Sequence, residues 1–104
     1  MLISLGVHYG SNLDHVERIT LEVAREIMKK VPGGMPHFEP VIRYHTFDSS
    51  SINLSVTLRI TDFEQSFHLR HEFIKRLHKR YAKEGIVIPY PIHAVNYDQE
   101  KAAS

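Results

Sequence analysis

At 104 residues the chain has room for one domain, large enough to bury roughly two thirds of its unfolded surface. Hydrophobic residues make up 42% and charged residues 24%, an ordinary balance for a soluble globular domain, and the formal charge of +1 argues neither for nor against an anionic partner. The absence of cysteine excludes disulfides, thiolate metal sites and thiol nucleophiles.

Leu2 to Tyr9 reads as a strand, with Ile3, Leu5, Val7 and Tyr9 alternating with Ser4, Gly6 and His8. Gly10-Ser11-Asn12 breaks it, and Ser11 or Asn12 can cap the helix that follows while Asp14 suits its positive end. Val16, Ile19, Val23 and Ile27 form one apolar stripe, so the first helix is expected from about Leu13 to Lys30. Pro32-Gly33-Gly34-Met35-Pro36 ends it.

A second strand is expected from about Pro40 to Phe47, and the polar turn Asp48-Ser49-Ser50-Ser51 leads to a third. In that third strand Ile52, Leu54, Val56, Leu58 and Ile60 share one face, and Asn53, Ser55, Thr57 and Arg59 the other. Such a strand belongs to an antiparallel sheet covered on one side only.

Asp62 is placed to open a second helix, with Gln65 as its reciprocal capping partner. Phe67, Ile74, Leu77 and Tyr81 continue at helical spacing, Leu69 and Phe73 lie on the flank, and Gly85 supplies a left-handed stop against which Ile86 can pack. A last strand, about Val87 to Tyr97, contains Pro89 and Pro91. Both prolines lack donors on the same side, so that side is expected to face solvent or a partner. The tail, residues 98–104, is small and polar and reads as disordered. The order strand, helix, strand, strand, helix, strand, with one polar sheet face, predicts an α+β ferredoxin-like βαββαβ sandwich over residues 1–97: a four-stranded antiparallel sheet with two helices on one face.

Candidate chemistry is sparse. His68 and His71 stand three apart on the second helix, with His78 two turns beyond His71. No acidic residue joins them at ligating spacing, so a solvated helix face is the simpler reading. His8, His37, His45 and His93 are scattered over strands and a loop. Arg70, Lys75, Arg76, Lys79, Arg80 and Lys83 make the second helix basic, with Glu72 the one acid between His68 and Lys83. That pattern suits the negative end of the helix, and nucleic acid or anionic lipid is its functional alternative. The element order matches an RNA-recognition module, but such a module stacks bases on sheet aromatics. The open face here offers Ser4, Gly6, His8, Asn53, Ser55 and Thr57 instead. No Gly-x-Ser-x-Gly elbow and no phosphate-binding Gly-Lys-Ser sequence occurs. No catalytic residue, cofactor site or metal site is therefore assigned, and no nucleic-acid partner.

Nothing approaches the roughly 20 apolar residues that span a bilayer, and Met1-Leu2-Ile3-Ser4 lacks the features of a signal peptide. A soluble, intracellular chain is the expectation.

Several of these stretches resemble one family. Gly6-Val7-His8-Tyr9, Phe47-Asp48-Ser49-Ser50 with Ile52-Asn53-Leu54, and Ile88-Pro89-Tyr90-Pro91 follow the order of motifs in the cytoplasmic C-terminal part of the small-conductance mechanosensitive channels. One departure is Gly10-Ser11-Asn12, where the family often has an acidic residue just after the tyrosine; it implies altered capping. The resemblance implies a non-catalytic domain on the cytoplasmic side of a membrane channel that opens under tension. Its membrane helices would precede residue 1. In the family, copies of the domain pack into a heptameric ring, a vestibule that filters solutes and influences gating. The alternative is a ferredoxin-like domain that senses a small molecule or a metal ion.

Overall fold

The computed structural model describes residues 1–89. Its elements are β1 (Leu2–Val7), α1 (Leu13–Lys30), β2 (Val41–Phe47), β3 (Ile52–Thr57) and α2 (Gln65–Glu84). The three strands form an antiparallel sheet in the order β1-β3-β2. The architecture is thus α+β, with a three-stranded sheet among the described residues. The expected fourth strand falls mostly outside them, and residues 86–89 belong to no strand. The expected polar tail lies wholly outside the described residues.

Alternation decides which sheet face is covered. Ile3 and Val7 of β1 and Ile52, Leu54 and Val56 of β3, with Leu58 just beyond, are buried under the helices. Ile42 and Tyr44 of β2 pack against the same core. Ser4, Asn53, Ser55, Thr57 and Arg43 take the alternate positions, so the other face is open. β3 stops at Thr57, three residues short of the expected Ile60. Ile60 instead makes an isolated bridge with Gly34, and Thr61 N–H donates to Gly33 O at 2.9 Å, which ties the loop after α1 to the entry of α2.

β2 carries a bulge at His45: Tyr44 pairs with Leu54 but Thr46 pairs with Asn53. The extra residue shifts the alternation by one. Phe47 is thereby brought opposite Ile52, on the side where Tyr9 stands, and the two rings lie parallel with centroids 6.5 Å apart.

α1 has the expected bounds and stripe. Asn12 Oδ1 accepts from His15 N–H at 3.1 Å, and Val16, Ile19, Val23 and Ile27 are buried. α2 departs from expectation in two ways. Asp62 Oδ1 does accept from Gln65 N–H at 3.2 Å, but the regular helix begins only at Gln65, and no bond returns from the Gln65 side chain. That side chain lies instead against Gly33. Second, the buried stripe is Ser66, Leu69, Phe73, Leu77 and Tyr81, whereas Phe67 is 69% and Ile74 51% exposed. The pair expected on the flank is core, and Phe67 and Ile74 face outward. α2 ends as expected. Gly85 has φ +75°, Gly85 N–H bonds Ala82 O, Ile86 N–H bonds Tyr81 O at 2.9 Å, and Ile86 is buried.

Candidate functional site

Three of the sequence motifs meet at one end of the sheet. Asp48 N–H donates to Ser51 O at 2.8 Å and Asp48 Oδ1 accepts from Ser49 N–H at 2.8 Å, which closes the β2–β3 turn. Asn53 Nδ2 donates to Asp48 Oδ2 at 3.2 Å, and Ser51 Oγ donates to Asn53 Oδ1 at 2.7 Å. Tyr9 O–H donates to the Asp48 carbonyl and so fastens the end of β1 to the same turn. Gly6 lies directly against this cluster: a β-carbon there would stand 2.6 Å from Asn53 Oδ1 and 2.7 Å from Ser51 Oγ. The Asp48 carboxylate, the Ser51 hydroxyl, the Asn53 amide and the Tyr9 phenol are all spent on other members of the set. The cluster ties the β2–β3 turn to the end of β1.

The outward face of α2 is a better candidate for function. Phe63 and Phe67 meet edge to face, centroids 5.7 Å apart, and are 74% and 69% exposed. Ile74, Val87 and Ile88 are exposed as well, and Phe47 is 81% exposed at the other end of the sheet. Single exposed apolar residues are ordinary on a protein surface, but large ones grouped along one helix mark a contact surface. A groove of about 150 Å³ runs between β1 and α2, lined by Ile3, Leu5, Phe73, Ile74, Leu77 and Ile88 among others.

Two of the six basic residues of α2, Arg76 and Arg80, are answered by carboxylates of α1. Arg80 bonds Glu22 at 2.7 Å and Glu84 at 3.0 Å, while Arg76 bonds Glu26 at 3.2 Å and Glu72 at 3.4 Å. Hydrogen bonding to Arg80 holds the Glu84 carboxyl below its ordinary pKa, with His15 3.6 Å away from it. Sequence spacing could have found this ladder, because Glu22 and Glu26 stand four apart on one helix and Arg76 and Arg80 four apart on the other. The cleft of about 360 Å³ between the helices is lined by Val23, Glu26, Arg76, Lys79, Arg80 and Lys83. With both arginines held by carboxylates, it presents only the two lysines to an anion.

His68, His71 and His78 are exposed on α2. Among the described residues no three His, Asp or Glu side chains stand close enough together to hold a metal ion. His93 lies outside the described residues.

Two phenols, half-buried Tyr44 and buried Tyr81, join sheet to helix and helix to helix, and periodicity gives no hint of their hydroxyl partners. Tyr44 O–H donates to Leu13 O at 2.7 Å, and burial pushes its pKa up to about 12, with Tyr81, Glu17 and Asp14 adding to the shift. Thr20 Oγ1 donates to Val16 O at 2.6 Å, which leaves it to accept from Tyr81 O–H at 2.5 Å. Burial raises the Tyr81 pKa against the opposing effect of that bond.

Among the described residues no helix is long and apolar enough to cross a membrane. The family model described as mechanosensitive ion channel MscS, C-terminal, matches residues 1–88. No curated protein matches the chain.

Proposed function

Because the chain belongs to the family of MscS mechanosensitive ion channel C-terminal domains, a channel family and not an enzyme family, we propose that it is a cytoplasmic assembly domain of a membrane channel opened by tension. Membrane helices would precede residue 1 in the parent protein. Copies of the domain would pack side by side below the pore in a heptameric ring, restrict which solutes reach it, and bias gating. The observation that carries this reading is the family match over residues 1–88. The free apolar side chains Phe63, Phe67 and Ile74 support it, since a buried contact between copies would remove them from water. A full ferredoxin-like sheet, with a fourth strand from about Val87 to Tyr97, belongs to the same reading.

The test is made in the parent channel. Phe67→Asp with Ile74→Asp should leave the chain folded but weaken cross-linking between subunits and reduce survival of cells after osmotic downshock. Unchanged cross-linking and unchanged tension-activated current would remove this face from the assembly. Metal sensing has no comparable support. If zinc raises the unfolding temperature and His71→Ala with His78→Ala abolishes that rise, it replaces the assembly reading of α2.

A further inference from the structure

Tyr9 with Phe47 and Phe63 with Phe67 form two aromatic pairs, and all four rings are exposed. The pairs stand at opposite ends of the sheet. Phe47 is opposite Ile52, where β3 begins, whereas Phe63 follows the Thr61–Gly33 bond, beyond Thr57, where β3 ends. The length of β3 separates them by roughly 20 Å at about 3.3 Å per residue, so neither pair can cover the other within one chain. Both are held in place. The Tyr9 hydroxyl is fixed on the Asp48 carbonyl, and the bulge at His45 aims Phe47 beside it. Ser66 Oγ donates to Phe63 O at 2.7 Å and Asp62 Oδ1 accepts from Gln65 N–H, which fixes the turn that sets Phe63 against Phe67. Rings already fixed lose little side-chain freedom on binding. Each pair also has an unbalanced charge beside it. Among the described residues Asp48 accepts only from neutral donors, Ser49 N–H and the Asn53 amide, and Arg70, about one turn beyond Phe67, meets no carboxylate.

Resting on the assembly reading above, we propose that the Phe63–Phe67 pair of one copy docks on the Tyr9–Phe47 pair of a second copy, so that copies meet head to tail. Charge chooses this arrangement over a symmetric one. A contact of either pair with itself would set Asp48 against Asp48 or Arg70 against Arg70, and juxtaposed like charges cost affinity. The head-to-tail contact sets Arg70 against Asp48. Because it joins unlike surfaces, it leaves each copy with one surface still open and extends from copy to copy. Its size suits subunits that are already held together. At roughly 200 Å² per ring the four rings expose about 500 Å², a minor part of the roughly 1,600 Å² that a stable complex between separate chains buries. Separate chains therefore meet in this way only at high concentration.

The chain has no cysteine, so the contact can be trapped as a disulfide with all four rings in place. Ser49 lies in the turn after Phe47 and His71 one turn beyond Phe67, and both are exposed. Chains carrying Ser49→Cys and chains carrying His71→Cys, one of them isotope-labelled, are mixed at about 1 mM, the effective concentration that a short tether supplies, and oxidised. The mixed disulfide should exceed either like pair by about tenfold, well above the small excess that random pairing gives. Phe67→Asp, at an exposed position that leaves the fold intact, should abolish the preference, and Arg70→Glu should reduce it several-fold. An excess of like pairs means a symmetric contact, which overturns head-to-tail docking and leaves assembly through α2 standing. A mixed disulfide at the random yield, or one that survives Phe67→Asp, overturns the proposal as well. The assembly reading falls with it only if Phe67→Asp with Ile74→Asp also leaves subunit cross-linking in the parent channel unchanged.

Discussion

Gly6 stands where β1 passes the polar cluster of the Asp48 turn, and its role is spatial. A methyl group there would lie within 2.9 Å of three atoms of Asn53 and Ser51. Gly6→Ala should therefore destabilise the chain by about 1–3 kcal/mol, the usual cost of forcing atoms into a packed site. Urea unfolding measures it, and Gly6→Ala combined with Asn53→Ala should cost less than the sum of the two single changes. Thr20 poses the opposite problem, a hydroxyl inside the core. Thr20→Val keeps the shape but leaves the buried Tyr81 O–H without its acceptor, at a cost of about 1–3 kcal/mol. The motif residues were legible in the sequence because local turn chemistry dictates Asp and Ser. That Gly6, Tyr9 and Asn53 serve the same turn was not legible, since the bonds join residues up to 39 positions apart.

At the scale of elements, periodicity works where only one face satisfies it. β3 has one apolar face, and its alternation carried one residue on predicts Leu58 inward; it is 1% exposed. Leu58→Ala should cost about 2–5 kcal/mol by leaving a cavity, and an unchanged urea midpoint would mean that the core closes without it. In α2 two stripes fit helical spacing equally well, one through Phe67 and Ile74 and one through Leu69 and Phe73, and both run on to Leu77 and Tyr81. Hydrophobicity cannot choose between them. The sheet does, by accepting the stripe that places Tyr81 on Thr20 and aligns Arg76 and Arg80 with Glu26 and Glu22. The cap at Asp62 follows a more local rule. Asp62→Ala should cost about 1 kcal/mol through loss of the bond to Gln65 N–H. Since Gln65 makes no return bond, Gln65→Ala should leave the cap intact.

For the whole molecule, the half-buried Tyr44 and the buried Tyr81 are expected to set the alkaline limit of the fold. Among the described residues Tyr44 and Tyr81 have raised pKa values, Tyr44 to about 12, because burial penalises the phenolate. In the unfolded chain both would titrate near 10. A raised pKa means that the fold favours the neutral phenol. For Tyr44 that contribution to stability is complete below about pH 10 and is lost as pH rises through about 12; that of Tyr81 is lost in the same direction. The loss should be felt across the molecule, because Tyr44 connects β2 to the start of α1 and Tyr81 connects α2 to α1. Urea midpoints measured upward from pH 8 should hold steady and then fall from about pH 10. Tyr44→Phe should lower the midpoint at pH 8 through loss of the bond to Leu13 O, yet make the fall above pH 10 shallower. A parallel decline in Tyr44→Phe and the unsubstituted chain would place the alkaline limit elsewhere, in the arginine–glutamate ladder between the helices or in Tyr81 alone. Tyr81→Phe decides between these two, since it removes the second phenol while leaving every ion pair in place.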